Sequence, residues 1–215
     1  MNFFGHAAVA SWQPRPSAGF VLGAMLPDFE SMSGGRIAHA LDPEVARGID
    51  HHHATDAVFH PAPPVRALFG AAEAMLLARG CRRGPMRAAA HVGVELLLDG
   101  ALLDEPRHRD AYLAAMAIVP VPVAWRDDGD DVRFERLRAR LVGFGVPDDL
   151  RRPASAAERV IRTLAGRRLL APSPEERLMI AAVLDELAPR VIADVDAVMA
   201  AVRAGLAARV AAAVT

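Results

Sequence analysis

Two stripes of histidine and carboxylate carry most of the chemistry open to this sequence. In Gly48-Ile49-Asp50-His51-His52-His53-Ala54-Thr55-Asp56-Ala57-Val58-Phe59-His60, the residues His52, Asp56 and His60 are spaced four apart. On a helix that spacing forms one stripe, with His52 sharing the face of Asp56 best and His51 and His53 lying to either side. The segment His91-Val92-Gly93-Val94-Glu95-Leu96-Leu97-Leu98-Asp99 repeats the arrangement in a far more apolar setting. Imidazole and carboxylate together suit divalent first-row metals, and i, i+4 spacing lets two side chains converge on one ion. A polar helix face with exposed histidines would show the first pattern equally well. The second is harder to explain that way, because three ionisable groups on an apolar helix are expensive to bury unless paired or metal-bound. Two such helices facing each other would build a carboxylate–histidine site inside a bundle.

Composition narrows the alternatives. All 25 basic residues are Arg, so a P-loop lysine, a Schiff-base lysine and a lysine general base are excluded. The single Cys81 excludes intrachain disulfides, cysteine zinc clusters and iron–sulfur sites. With 26 acidic residues against 25 basic ones the net charge is -1, which disfavours nucleic acid as a partner. Seven of the eight histidines fall within the first 91 residues, which is where chemistry is expected. His6 and Asp28 are each the only strongly polar group in an apolar stretch, although an Asp after Leu26-Pro27 could equally cap a helix or open a turn. His39, Asp42 and His108 sit among turn signals and are expected at the surface.

The elements that must position these groups read as helices. Alanine and leucine dominate and aromatics are only 5%, so the expected fold is all-α, a single-domain helical bundle over residues 1–215. Helices are predicted over 4–10, 18–25, 43–59, 65–79, 85–103, 109–118, 132–142, 156–169 and from 174 to the end. Ser155 with Glu158 and Ser173 with Glu176 fit capping boxes, Pro189 should kink or divide the last helix, and 121–131 reads as a loop. The Ala-rich stretch from Ala193 to Thr215 suits packing either internally or against another copy. Met1 to Ser11 is apolar with a cleavage-like Ala8-Val9-Ala10, but it lacks the positive leading region of a signal peptide. No uncharged run reaches the ~20 residues of a membrane helix, so a soluble, cytoplasmic protein with no membrane span is expected.

The ordered landmarks Met1-Asn2-Phe3-Phe4-Gly5-His6, Gly23-x4-Asp28-Phe29, Gly48-Ile49-x2-His52-x3-Asp56 and Glu95-x3-Asp99 resemble those of the bacterial acyl carrier protein phosphodiesterase family. That family is similar to the metal-dependent HD-domain phosphohydrolases, and the likeness covers roughly the first half of the chain. The resemblance implies an HD-domain-like fold and hydrolysis of the phosphodiester joining 4′-phosphopantetheine to a serine of acyl carrier protein. It further implies a divalent metal, manganese foremost, with iron, zinc or nickel as alternatives. His6, Asp28, His52 and Asp56 match the family's polar positions, and Glu95 and Asp99 fall where the family has two aspartates. The chain departs from the pattern at His60, where the family has another Asp; at His53 and Ala54, where it has basic residues; and at Gly100, where it has a His that His91 could replace.

The resulting expectation places metal on His52, Asp56, His91 and Glu95, with His6 or Asp28 completing the shell, and assigns orientation of water or protonation of the leaving oxygen to Asp99 or His60. Arginine must supply every cationic side-chain contact to phosphate. Ten arginines between Arg133 and Arg168 could dock an acidic carrier protein, or simply form solvated faces interleaved with acids. Two rival functions stay open: an HD-type or phospholipase-C-like hydrolase of a small phosphoester, and a non-catalytic helical scaffold or binding protein.

Overall fold

Long alanine- and leucine-rich segments form helices here, and their ends fall where glycine, proline or a capping side chain stops them. The computed structural model describes residues 1–214; Thr215, the last residue of the expected C-terminal helix, lies outside them. Among the described residues there are nine α-helices: α1 (Phe3–Ala10), α2 (Ala18–Ser33), α3 (Pro43–Phe59), α4 (Pro63–Ala78), α5 (Arg83–Leu102), α6 (Pro106–Met116), α7 (Asp130–Phe144), α8 (Pro153–Ala165) and α9 (Pro174–Val214). Strands β1 (Ile37–Ala40) and β2 (Val123–Trp125) make a small antiparallel pair with a bulge between Ile37 and His39. The all-α class is thus realised. Two compact units are formed, one from Met1–Ala57 with Leu103–Pro147, the other from Val58–Leu102 with the chain from Asp148 onward.

The first unit is organised around most of the protein's few aromatic rings. Phe3 packs on Phe29 and Tyr112, Phe4 on Tyr112, and Phe134 on Phe29 and Trp125, with centroids 5.0–6.1 Å apart. Helices α2 and α3 meet backbone to backbone: a Cβ on Gly23 would lie 2.2 Å from the Val45 carbonyl oxygen, and one on Gly48 would lie 2.2 Å from that of Phe20. Helix α2 was expected to stop at Met25 but runs through Pro27 to Ser33. Burial of Leu26 and Phe29 offsets the hydrogen bond that proline removes, and Gly34, at φ 74°, then ends the helix. The expected loop over 121–131 contains β2 and the start of α7, because Asp130 is fully buried, ion-paired with Arg133 and accepts from the Asp127 amide at 3.0 Å. His108 also departs from expectation: α6 begins at Pro106, which puts His108 on the buried face with Tyr112.

In the second unit α5 packs with α4, α8 and α9. The α9 helix is continuous through Pro189, neither divided nor interrupted, with Leu187 and Val191 buried on either side. Val198 and Val202 are buried, and a Cβ on Gly205 would touch Val58 at 2.8 Å, so the Ala-rich segment packs within its own unit at least as far as Gly205. Ser155 is not a cap, because α8 starts two residues earlier at Pro153, a residue suited to the first helical turn. The second capping box does form: Ser173 Oγ accepts from the Glu176 amide at 3.2 Å, and Glu176 Oε2 accepts from the Ser173 amide at 2.8 Å. Of the arginine clusters, Arg138 pairs with Glu135 at 2.8 Å, Arg159 with Asp149 at 2.6 Å and Arg151 with Asp148 at 3.4 Å, as in ion-paired surface helices. No helix among the described residues is long and apolar enough to cross a membrane.

Glu176 also ties the start of α9 to Arg82, accepting from its Nε at 2.9 Å, its Nη2 at 2.7 Å and its amide at 2.9 Å. The Arg82 bonds outweigh the penalty of burial and hold the Glu176 carboxyl down at about 2. A carboxyl depressed in the folded state stabilises above its ordinary range and loses that contribution as pH falls through the folded value. Glu176→Gln is therefore expected to lower stability by about 2 kcal/mol at pH 7, with the difference closing between pH 4.5 and pH 2. Urea unfolding at both ends of that range measures it, and a gap independent of pH would contradict the assignment.

Candidate metal centre

In the first unit, α3 is started by Asp42, whose Oδ1 accepts from the Glu44 and Val45 amides at 2.7 and 3.2 Å. One turn past the Gly48 contact, His52 Nδ1 lies 2.9 Å from the Ala24 carbonyl oxygen of α2. A carbonyl only accepts, so this bond assigns the proton to Nδ1 and leaves a lone pair on Nε2. That lone pair faces Asp56 Oδ2 at 3.6 Å. His6, from α1, stacks on the His52 ring at 3.8 Å between centroids and brings its Nε2 to 3.2 Å from Asp56 Oδ1, which also meets the Met1 amine at 3.0 Å. Both histidines are buried, whereas the Asp56 side chain keeps 32% exposure. Burial, reinforced by the nearby His6, pushes His52 down to about 3, so its ring is neutral at physiological pH.

His6, His52 and Asp56 each offer one ligand atom, all within 4.8 Å of one another. Two imidazoles and a carboxylate are a donor set for a divalent first-row ion. A ring held through Nδ1 by a carbonyl is the orientation that metal-binding histidines require. The flanking histidines are placed differently: His51 packs against Phe20 at 5.1 Å, with burial pushing it down to about 4, while His53 is exposed.

A second group forms within the second unit. His60, just past the end of α3, and His91 and Glu95, one turn apart on α5, bring their ligand atoms within 4.8 Å of one another. His91 Nε2 lies 3.0 Å from Glu95 Oε1. Phe69 of α4 stacks on His91 at 4.8 Å and 16° and lies 6.4 Å from His60, so one ring steadies both imidazoles. Burial alone would raise the Glu95 carboxyl, but hydrogen bonding, that from His91 foremost, and nearby positive charge outweigh it and bring it down to about 2.

Of the stripe read from His52 to His60, His52 and Asp56 belong to the first unit and His60 to the second. Of the six residues expected to bind metal, three lie together in the first unit and two in the second. His6, His52 and Asp56 come together, His91 and Glu95 are joined by His60, Asp28 sits half-buried on α2, and Asp99 lies fully buried one turn beyond Glu95. Sequence reading missed the Ala24 carbonyl and Phe69. The first was signalled by Gly23 and Gly48, small residues that permit two backbones to touch; nothing local signalled the second.

No protein-family model, curated protein or solved structure matches this chain.

Proposed function

We propose that this protein is a divalent-metal-dependent phosphodiesterase, with His6, His52 and Asp56 as its metal-holding residues. One observation carries the reading: His52 is fixed by the Ala24 carbonyl so that its Nε2 lone pair points at Asp56, beside the stacked ring of His6. Two buried imidazoles beside a carboxylate form a donor set that a bound divalent cation would stabilise. His6, His52 and Asp56 would hold an ion whose chemistry would be Lewis-acid polarisation of a phosphoryl oxygen and acidification of water. Asp56, whose side chain is 32% exposed, is the most accessible of the three, while His6 and His52 are shielded from water.

The substrate we favour is the phosphodiester between 4′-phosphopantetheine and a carrier-protein serine, because His6, Asp28, His52 and Asp56 keep the order and spacing of the acyl carrier protein phosphodiesterase landmarks. The test compares two substrates with untagged protein loaded with Mn, Fe, Zn or Ni. Release of apo carrier protein from holo carrier protein is expected. Turnover of bis(p-nitrophenyl) phosphate alone would overturn the carrier-protein assignment in favour of a small phosphoester. No turnover of either substrate with any metal would overturn the hydrolase and leave a helical scaffold.

A further inference from the structure

We propose that His60, His91 and Glu95 hold a second divalent first-row transition ion, and that this ion acts with Arg83 and Arg87 to bind the phosphate group of a small molecule. Its three donors all belong to the second unit, and the inference does not depend on the hydrolase reading. Two imidazoles and one carboxylate within 4.8 Å are the donor set of metal sites that keep open positions for an exogenous ligand. The donors are held in place: Phe69 stacks on His91 at 4.8 Å, Phe59 packs on His60 at 5.2 Å, and the imidazoles lie 5.0 Å apart. The cluster is reached through His91, whose side chain is 47% exposed and lines a groove of about 610 Å³.

The same groove supplies the reason for an anion. Arg83, Arg87, His91 and Glu95 follow at intervals of four along α5, so two guanidinium groups lead along one helix face to the ligand cluster. Both arginines line the groove beside His91, with Phe69 and Leu170 as apolar neighbours. Arg87 meets Glu73, which also lines the groove, at a long 3.9 Å. Two arginines and a dication complement the charge of a phosphate dianion, which guanidinium binds through paired N–H groups. The volume lies in the range of small-molecule sites.

The experiment is a titration of chelator-stripped, untagged full-length protein with Zn²⁺ alone, followed by inorganic phosphate. The wild type should bind two equivalents of zinc and His52→Ala one. His91→Ala, at an exposed position that spares the core, should also bind one, and Glu95→Gln should match it. Arg83→Ala with Arg87→Ala should keep two zinc equivalents while phosphate affinity falls at least 10-fold. Undiminished zinc binding in both His91→Ala and Glu95→Gln would overturn the metal site, and phosphate affinity unchanged in the double arginine variant would overturn the anion site. Neither readout uses hydrolysis, so loss of the proposed activity leaves this result intact.

Discussion

His52→Ala should abolish binding of the ion assigned to His6, His52 and Asp56 and lower phosphodiester hydrolysis by about 1,000-fold or more. Loss of an ion that supplies several kcal/mol of transition-state charge stabilisation corresponds to that range, since ~1.4 kcal/mol is one factor of ten. The imidazole contributes the Nε2 lone pair and is oriented through the bond from its Nδ1 to Ala24. Alanine removes both roles. Folding should survive, because the substitution removes one hydrogen bond and one ring stack, together worth about 2 kcal/mol. His53→Ala, one residue away but exposed, is the matched control and should retain metal and activity. Metal content and kcat measured together on the two variants decide the matter: an active, metal-replete His52→Ala protein would remove this residue from the site.

Gly48→Ala is expected to be the most damaging single methyl addition in the first unit. The new Cβ would sit 2.2 Å from the Phe20 carbonyl oxygen and 2.8 Å from the Ala24 amide nitrogen. Both are backbone atoms, so no rotamer change relieves the overlap and α2 must move off α3. Overpacking of this kind costs about 3 kcal/mol, a fall in Tm on the order of 10 °C. The displacement also pulls the Ala24 carbonyl from His52, so metal affinity should fall about 10- to 100-fold, as when other orienting partners are lost. Gly70→Ala provides the contrast, since a Cβ there meets nothing within 4 Å and an exposed helical alanine should stabilise by about 1 kcal/mol. Thermal melts of both variants check this, and similar Tm changes in the two would refute the close-contact argument.

Much of the fold was legible because helices leave local marks. The span of α3, Pro43 to Phe59, follows from Asp42-Pro43 at one end and the proline-rich segment after His60 at the other. The cap at Ser173 and Glu176 was readable for the same reason. Pro27 and Pro189 misled, since a proline signals a helix end unless burial on both sides carries the helix across it. The strands were invisible at four and three residues, too short to show alternation.

The candidate sites divide along the same line. That His52 shares a helix face with Asp56, and His91 with Glu95, is determined by sequence alone, because i, i+4 neighbours meet on any helix. That His6 stacks on His52, that Ala24 fixes its proton, and that His60 joins His91 and Glu95 were decided only by tertiary structure. These groups lie 28 to 46 residues apart in sequence. Their meeting depends on where helices cross and where α3 ends, and those positions are set by backbone contact at Gly23 and Gly48 and by side-chain packing rather than by helical periodicity.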